Sequence, residues 1–382
     1  MTIFNELRNE MKQMEKEIDY KGYSYKISDV LTIMICGLLC NLQNISDIYE
    51  WASEDIIKEF FLERFGIRKL PSRAQFYNIL GKVDPKRFQE IFISWMKKIL
   101  GANTDRRTIS IDGKTVRSTE KMSTYENALH IASAIIAESK LVIGSLPCDT
   151  KTSEPEIFRE LMEMLDVEGA IVVADALHCR KKSAQKVIDE KADYIFSVKD
   201  NNPNLKSDIE LFIKNEETDS YTTTEKNGGR FEKRTAYTSS DIDWLPNKED
   251  WAGLKTIGAL HTEFEKNGAK TDEWHFYISS AELNAEELLK HSRLEWTIES
   301  MHWLLDVHYA EDKTRVWDKN IQQTLNIMRK IALNLARKYK TEKEPKKAIS
   351  AILKRNLYNI ENLAEFLFFI IALNDISDLL RN

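Results

Sequence analysis

The chain has 382 residues, of which 42% are hydrophobic and 30% charged, and its formal net charge is −6. This composition indicates a globular protein of roughly two or three domains, and its acidity argues against nucleic acid binding over the whole surface. No apolar stretch is long enough to cross a bilayer and the N-terminus does not resemble a signal peptide. We therefore expect a cytoplasmic protein without membrane contacts.

Residues 1–104 are predicted to form an N-terminal helical domain. Its short helices carry basic residues at Arg68, Lys69 and Arg73, which would suit a helix-turn-helix-like module that binds DNA. The alternative is a helical cap that packs on the next domain, and the sequence does not separate the two.

Two aspartates follow predicted strands. In residues 108–117 polar residues alternate with Ile109 and Ile111, so this stretch predicts a strand that ends near Asp112. Residues 171–174 are continuously apolar, which is typical of a strand buried on both faces, and Asp175 follows directly. Two carboxylates at strand ends of one buried sheet can converge on a divalent cation.

The elements around these strands predict an α/β fold. We expect an antiparallel meander of three strands followed by an α-β-α-β order, which is typical of an RNase H-like domain. A capping box at residues 153–156 would begin the first of these helices. The elements are strands at 108–112, 128–137 and 140–146, a helix from 153, a strand at 170–175, a helix at 179–191 and a strand at 194–198.

The rest of the chain predicts an interrupted catalytic domain. Residues 200–282 contain several alternating Thr- and Tyr-rich segments, which predict a β-rich insertion. The catalytic domain would thus comprise residues 105–199 and 283–345, and a C-terminal helical region would occupy residues 346–382.

A third acid is a candidate on the helix predicted for residues 293–309. Helical spacing places Glu299 on one polar face with Glu295, His302 and Asp306. Such a face is usually only solvated, so this pattern alone does not assign Glu299 to a site. Trp296 and Trp303 are expected to be core residues, with base stacking as the alternative.

Positive charge is concentrated late in the chain. Residues 311–355 contain 13 Lys or Arg and 5 Asp or Glu, so DNA contacts are expected there. The basic residues would either follow a DNA backbone or form a solvated helix face; they are Arg329, Lys330, Arg337, Lys338 and Lys340.

Seven motifs carry a resemblance to a known family, and this resemblance bears on the alternatives left open above. They are Asp112-Gly-Lys-Thr-Val-Arg117, His130-Ile-Ala-Ser-Ala134, Asp175-Ala-Leu-His-Cys179, the stretch 193–205, the stretch 229–234, Trp296-Thr-Ile-Glu299, and the stretch 302–307 with Glu311-Asp312. In order and spacing the chain resembles the DDE transposases of the ISAs1 insertion-sequence family, including the H repeat-associated proteins. The resemblance extends from about residue 20 to about residue 340.

The resemblance implies an RNase H-like core in which Asp112, Asp175 and Glu299 form a catalytic triad that holds two Mg²⁺ or Mn²⁺ ions. Hard oxygen ligands suit these cations. The chain departs from the family at Glu295, Ser300 and Gly228, where His, Asn and His are common. Related transposases often carry a lysine at the position of Asp306. No triad carboxylate is lost.

The implied activity is cleavage of phosphodiester bonds at transposon ends and joining of the 3′-hydroxyl to target DNA. The implied partners are double-stranded DNA, both terminal repeats and target, and further copies of this chain. The alternatives are a degenerate or domesticated protein that binds DNA without cutting it, and a nuclease of the same fold without strand transfer. Candidate DNA-binding residues, each with a solvated or ion-paired alternative, are Lys114, Arg117, Lys199, Arg230, Arg234 and Arg293.

Overall fold

A computed structural model describes residues 3–17, 25–101, 106–119, 128–148, 153–227, 230–266 and 269–367. The N-terminal part is helical. Helices α1 to α6 span Ile3–Glu17, Ile27–Leu39, Ile45–Ser53, Asp55–Phe65, Arg73–Leu80 and Pro85–Leu100. Among the described helices, none has both the length and the apolar character that crossing a bilayer demands.

The central part alternates strands and helices as predicted. The elements are β1 (Thr108–Thr115), β2 (His130–Ile136), β3 (Leu141–Cys148), α7 (Glu154–Met164), β4 (Ile171–Ala174), α8 (Lys181–Asp189) and β5 (Asp193–Val198). Strands β1 to β3 form an antiparallel meander, whereas β4 lies parallel to both β1 and β5. The order β3-β2-β1-β4-β5 confirms the RNase H-like core.

The predicted β-rich insertion continues this sheet. After α9 (Pro203–Asn215) come β6 (Asp219–Asn227), β7 (Arg230–Ser239), β8 (Thr256–Lys266) and β9 (Ala269–Ser279). The four strands form an antiparallel meander, and β9 pairs antiparallel with β5. The result is one sheet of nine strands in which the core strands β1 and β4 stay central.

The C-terminal helices close the structure. They are α10 (Ala285–Glu295), α11 (Thr297–Tyr309), α12 (Lys319–Lys343) and α13 (Ile349–Tyr358), and residues 360–367 are also helical. Helix α12 contacts α2, α5, α6 and strand β3, so it joins the N-terminal helices to the sheet. These helices share one hydrophobic core with the sheet. DNA binding by the N-terminal helices stays a prediction.

Two predictions about helices were wrong. The helix expected over 293–309 is two helices, with the junction at Trp296 between α10 and α11. The side chain of Ser153 makes no capping hydrogen bond to α7, so the predicted capping box does not form. Glu154 instead turns into the protein, where it is buried.

The basic stretch on α12 is another correction. Arg329, Lys330 and Arg337 are buried, so these three neither follow a DNA backbone nor form a solvated face. Burial, partly opposed by the negative charge of Glu311, lowers the pKa of Lys330 to about 7. Its ammonium donates a hydrogen bond to Asn326 Oδ1 at 2.5 Å.

Candidate active site

Strand pairing brings the two aspartates together. In the parallel β1–β4 pair, Ile111 lies opposite Ala174. Asp112 and Asp175 are the residues that follow this pair, so they lie side by side. Strand β1 continues to Thr115 and Asp112 pairs with Ser133 of β2, so the prediction that this strand ends near Asp112 was wrong. The backbone N–H of Leu177 donates to Asp175 Oδ1 at 2.9 Å and orients that carboxylate.

The turn that follows Asp175 is held from the neighbouring loop. Asn201 Nδ2 donates to the carbonyl of Ala176 at 2.6 Å, and Asn202 Nδ2 donates to the carbonyl of Cys179 at 2.9 Å. The two amides thus fix the residues immediately after Asp175. These asparagines therefore have internal partners in the protein.

The site concentrates negative charge. Burial, followed by the charges of Asp175 and Glu154, raises the pKa of Asp112 to about 6. A carboxyl group with so high a pKa marks a place where a nearby positive charge would be stabilised. The donors are carboxylate oxygens, which fits a hard divalent cation such as Mg²⁺ or Mn²⁺.

Two glutamates lie on the helices that contact β1. Helices α10 and α11 both contact β1, and Ser110 Oγ donates to the carbonyl of Leu294 at 3.3 Å. Glu299 is exposed in the first turn of α11. Glu295 ends α10, and burial together with the charges of Asp175 and Asp112 raises its pKa to about 7.

Glu295 was not predicted as a member of the site. The charges of Asp175 and Asp112 both act on its pKa, so Glu295 is a further carboxylate near the two aspartates. The sequence carried a signal, since Glu295 and Glu299 lie four residues apart on one polar helix face. The choice between them could not be made from spacing alone.

His302 lies against the first aspartate. Its Nδ1 is 3.7 Å from Asp112 Oδ2, and its buried Nε2 has no hydrogen-bond partner among the described residues. Burial, followed by the positive charges of Lys114 and Lys330, lowers the pKa of His302 to about 3. The imidazole is therefore neutral at physiological pH.

A second acidic cluster begins at Asp306, one helical turn after His302 on α11. Within the described part of the chain, Asp306, Glu311 and Asp312 form a group of three acids whose carboxylate oxygens all lie within 4.8 Å of one another. The predicted triad of Asp112, Asp175 and Glu299 is not so closely spaced. The Lys114 ammonium already stands among the acids of the second cluster, at 2.8 Å from Asp306 Oδ1, 2.8 Å from Glu311 Oε2 and 3.6 Å from Asp312 Oδ1. This lysine, predicted as a phosphate contact, thus neutralises internal charge.

The other predicted DNA contacts divide into two groups. Arg117 is exposed, with 83% of its side chain accessible, and Lys199 and Arg230 are exposed as well. Arg234 is largely buried and pairs with Glu225 and Glu232, and Arg293 also pairs with Glu225. The first group faces solvent, whereas the second links the insertion to α10.

The tryptophans beside Glu299 are not in the core. Trp296 is 64% exposed and Trp303 is 60% exposed, so the prediction that both are core residues was wrong. They precede and follow Glu299 by about one helical turn, on the same side of α11. Val307, 46% exposed, extends this apolar surface. We call Trp296, Trp303 and Val307 the α11 ridge.

Comparison with known proteins places these features in a family. A family model described as "Transposase DDE domain" matches residues 103–335, and one described as "DDE_Tnp_1-associated" matches residues 10–96. The chain is 31% identical over 348 residues to the H repeat-associated putative transposase YhhI of Escherichia coli K12, covering 86% of this chain and 90% of that protein.

Two further similarities were found. The putative transposase YncI of Escherichia coli O157:H7 is 31% identical over 326 residues, which is 82% of each protein. Among solved structures, the piggyBac transposase synaptic complex with hairpin DNA aligns with a TM-score of 0.42 and 11% identity, covering 96% of this chain and 78% of that one.

Proposed function

The chain belongs to the DDE transposase family, and from that premise we propose that it is an insertion-sequence transposase. It would cut phosphodiester bonds at transposon ends and join the freed 3′-hydroxyl to target DNA. The observation that carries the proposal is the β1–β4 register, which brings Asp112 and Asp175 side by side. Helix α11, which bears Glu299, contacts β1.

Divalent metal use is general in this family. Asp112, Asp175 and Glu299 would hold two Mg²⁺ or Mn²⁺ ions in this chain, and Glu295 lies close enough to contribute charge. When bound, such ions activate the attacking oxygen and stabilise the leaving oxygen of a phosphodiester. Leu177 orients Asp175 through its backbone, and the neutral His302 packs beside Asp112.

Three exposed basic residues suit DNA contacts. Arg117, Lys199 and Arg230 face solvent and are available for phosphate contacts, which position a duplex without reading its sequence. Arg117 Nε also lies 3.9 Å from Asp312 Oδ2. Lys114, Arg234 and Arg293 would first have to give up carboxylate partners. We further propose that terminal repeats and target DNA are both bound as duplexes, and that two copies of the chain bring two ends together.

The test uses purified protein and DNA that carries the ends flanking its coding sequence. With Mg²⁺ we expect strand cleavage at those ends and a product in which the 3′-end is joined to a second duplex. Cleavage without joining would identify a nuclease of the same fold. Binding without cleavage in either Mg²⁺ or Mn²⁺ would identify a protein that has lost the activity.

The α11 ridge provides an independent prediction. Trp303→Ala should weaken binding of transposon-end DNA that carries unpaired bases at its end by about 1–3 kcal/mol, the usual contribution of an unpaired base stacked on an aromatic side chain. Because Trp303 is exposed, its loss should leave the melting temperature nearly unchanged. Fluorescence anisotropy with labelled DNA measures the affinity.

The matched control is Trp317→Ala, which removes a tryptophan of similar exposure, 66%, that lies outside α11. It should bind DNA like the wild type. Equal affinity of the Trp303→Ala variant and the wild type would show that DNA does not contact the ridge.

A further inference from the structure

Histidines from two separate elements converge on the carboxylate of Glu154, the first residue of α7. His130 Nε2, from β2, lies 2.6 Å from Glu154 Oε2. His178 Nε2, from the turn after β4, lies 3.0 Å from Glu154 Oε1. All three side chains are almost inaccessible, at 4% for Glu154, 4% for His130 and 0% for His178.

The bridge reaches both aspartate-bearing segments. On one side, Thr115 Oγ1 lies 2.9 Å from His130 Nδ1, and Thr115 is three residues after Asp112 on β1. On the other side, the backbone N–H of His178 donates to the carbonyl of Asp175 at 3.1 Å. A continuous chain of hydrogen bonds thus connects the strand of Asp112 with the turn of Asp175.

Glu154 also lies directly over the residue after Asp112. A Cβ atom placed on Gly113 would overlap the Glu154 carboxylate, so the absence of a side chain there permits the close approach. The position of this carboxylate and the path of β1 beside Asp112 therefore depend on each other.

A carboxylate buried so deeply destabilises the folded protein unless its oxygens accept hydrogen bonds. Burial alone would raise the pKa of Glu154, but the hydrogen bonds from both histidines outweigh it and lower the pKa to about 2. The buried Nδ1 of His178 has no partner among the described residues, which suits an acceptor nitrogen, so His178 donates through Nε2. Its ring stacks on Phe158 of α7, with 4.8 Å between the centroids.

We propose that Glu154 is a positioning residue, which fixes Asp112 and Asp175 relative to each other through His130 and His178 and so sets the affinity for the divalent cation. This inference rests on the proposed function, since it requires a cation at the two aspartates. Groups that orient ligands from outside the coordination sphere typically change metal affinity by about 10- to 100-fold.

The experiment measures Mn²⁺ binding to the full-length protein without DNA, by electron paramagnetic resonance of the free ion, alongside the melting temperature. Glu154→Gln should weaken Mn²⁺ binding by about 10-fold or more. The variant should fold, because the new amide can donate to His130 Nε2. This requires the His130 tautomer that carries its proton on Nδ1, where the proton is donated to the Thr115 hydroxyl. The control is Glu156→Gln, which removes an exposed charge from the same helical turn.

A second pair of variants keeps the test decisive if Glu154→Gln is unstable. His130→Gln retains a donor for Glu154, whereas His130→Leu fills the buried space without one. If Glu154 positions the aspartates through His130, the His130→Gln variant should bind Mn²⁺ more tightly than the His130→Leu variant. If His130 only fills space, the two variants should have the same Mn²⁺ affinity. Equal Mn²⁺ affinities in this pair, or a wild-type affinity in folded Glu154→Gln, would overturn the inference.

Asp112→Asn separates this inference from the proposed function. If the wild type does not bind Mn²⁺, or Asp112→Asn binds it equally well, the proposed metal site itself is wrong. If Asp112→Asn loses binding while folded Glu154→Gln keeps it, the metal site stands and only the positioning role of Glu154 fails.

Discussion

Asp112→Asn should give a protein that is inactive and yet more stable than the wild type. Loss of one cation ligand should reduce the rate of strand cleavage by about 1,000-fold or more, equivalent to about 4 kcal/mol of transition-state stabilisation. Stability should rise by about 1–2 kcal/mol without metal at pH 7.5, because the substitution removes a charge that burial and its neighbours oppose. Cleavage assays and thermal unfolding measure the two effects.

The gain in stability should depend on pH in a defined direction. The folded-state pKa of Asp112 is about 6, above its ordinary value of 3.8. Above pH 6 the carboxyl is ionised in both states, and the folded protein bears the full penalty. The penalty fades as pH falls towards 4, so the two proteins should then have similar stabilities. A difference that grows at low pH would contradict the assigned cause.

Glu299→Gln should abolish excision of a marked element from a donor plasmid, whereas Glu295→Gln should retain it within about tenfold. The reason is that Glu299 faces solvent where DNA would bind, while Glu295 is half-buried and acts on the site by charge. Excision frequencies from the same plasmid, with equal protein levels, give the comparison.

The reverse outcome would be equally informative. Retained excision in Glu299→Gln with loss in Glu295→Gln would mean that the last residue of α10 supplies the third ligand. Ser300→Ala serves as the control, because Ser300 is exposed beside Glu299 and carries no charge.

The sequence predicted the sheet well, because strand alternation and buried apolar runs are local patterns that the tertiary structure here preserves. The two aspartates were found for the same reason, since each directly adjoins such a run. The adjacency of Asp112 and Asp175 required more, namely the parallel register between β1 and β4. Register is a pairing between distant segments, which periodicity within one segment does not specify.

The failures concern side chains whose surroundings come from elsewhere in the chain. Arg329 and Lys330 look like a solvated basic stretch, but α12 runs through the core, and residues far from it in the sequence cover them. Trp303 looks like a core residue because it is large and apolar, yet its side of α11 has no covering element among the described residues. Ser153 and Glu156 matched a local capping pattern, but Ser153 makes no capping hydrogen bond to α7. No pattern in the sequence indicated that Glu154, which lies between them, is bound by two distant histidines.

The long reach of α12 has a consequence for biosynthesis. Every residue of α2 except Asp29 is buried, and part of the surface that covers it belongs to α12. A ribosome completes the apolar α2 long before it reaches Lys319, where α12 begins. The nascent chain therefore carries a partly uncovered apolar helix through most of its translation, a state prone to aggregation that chaperones protect. In a chain that stops before Lys319, the surface that α12 covers stays exposed.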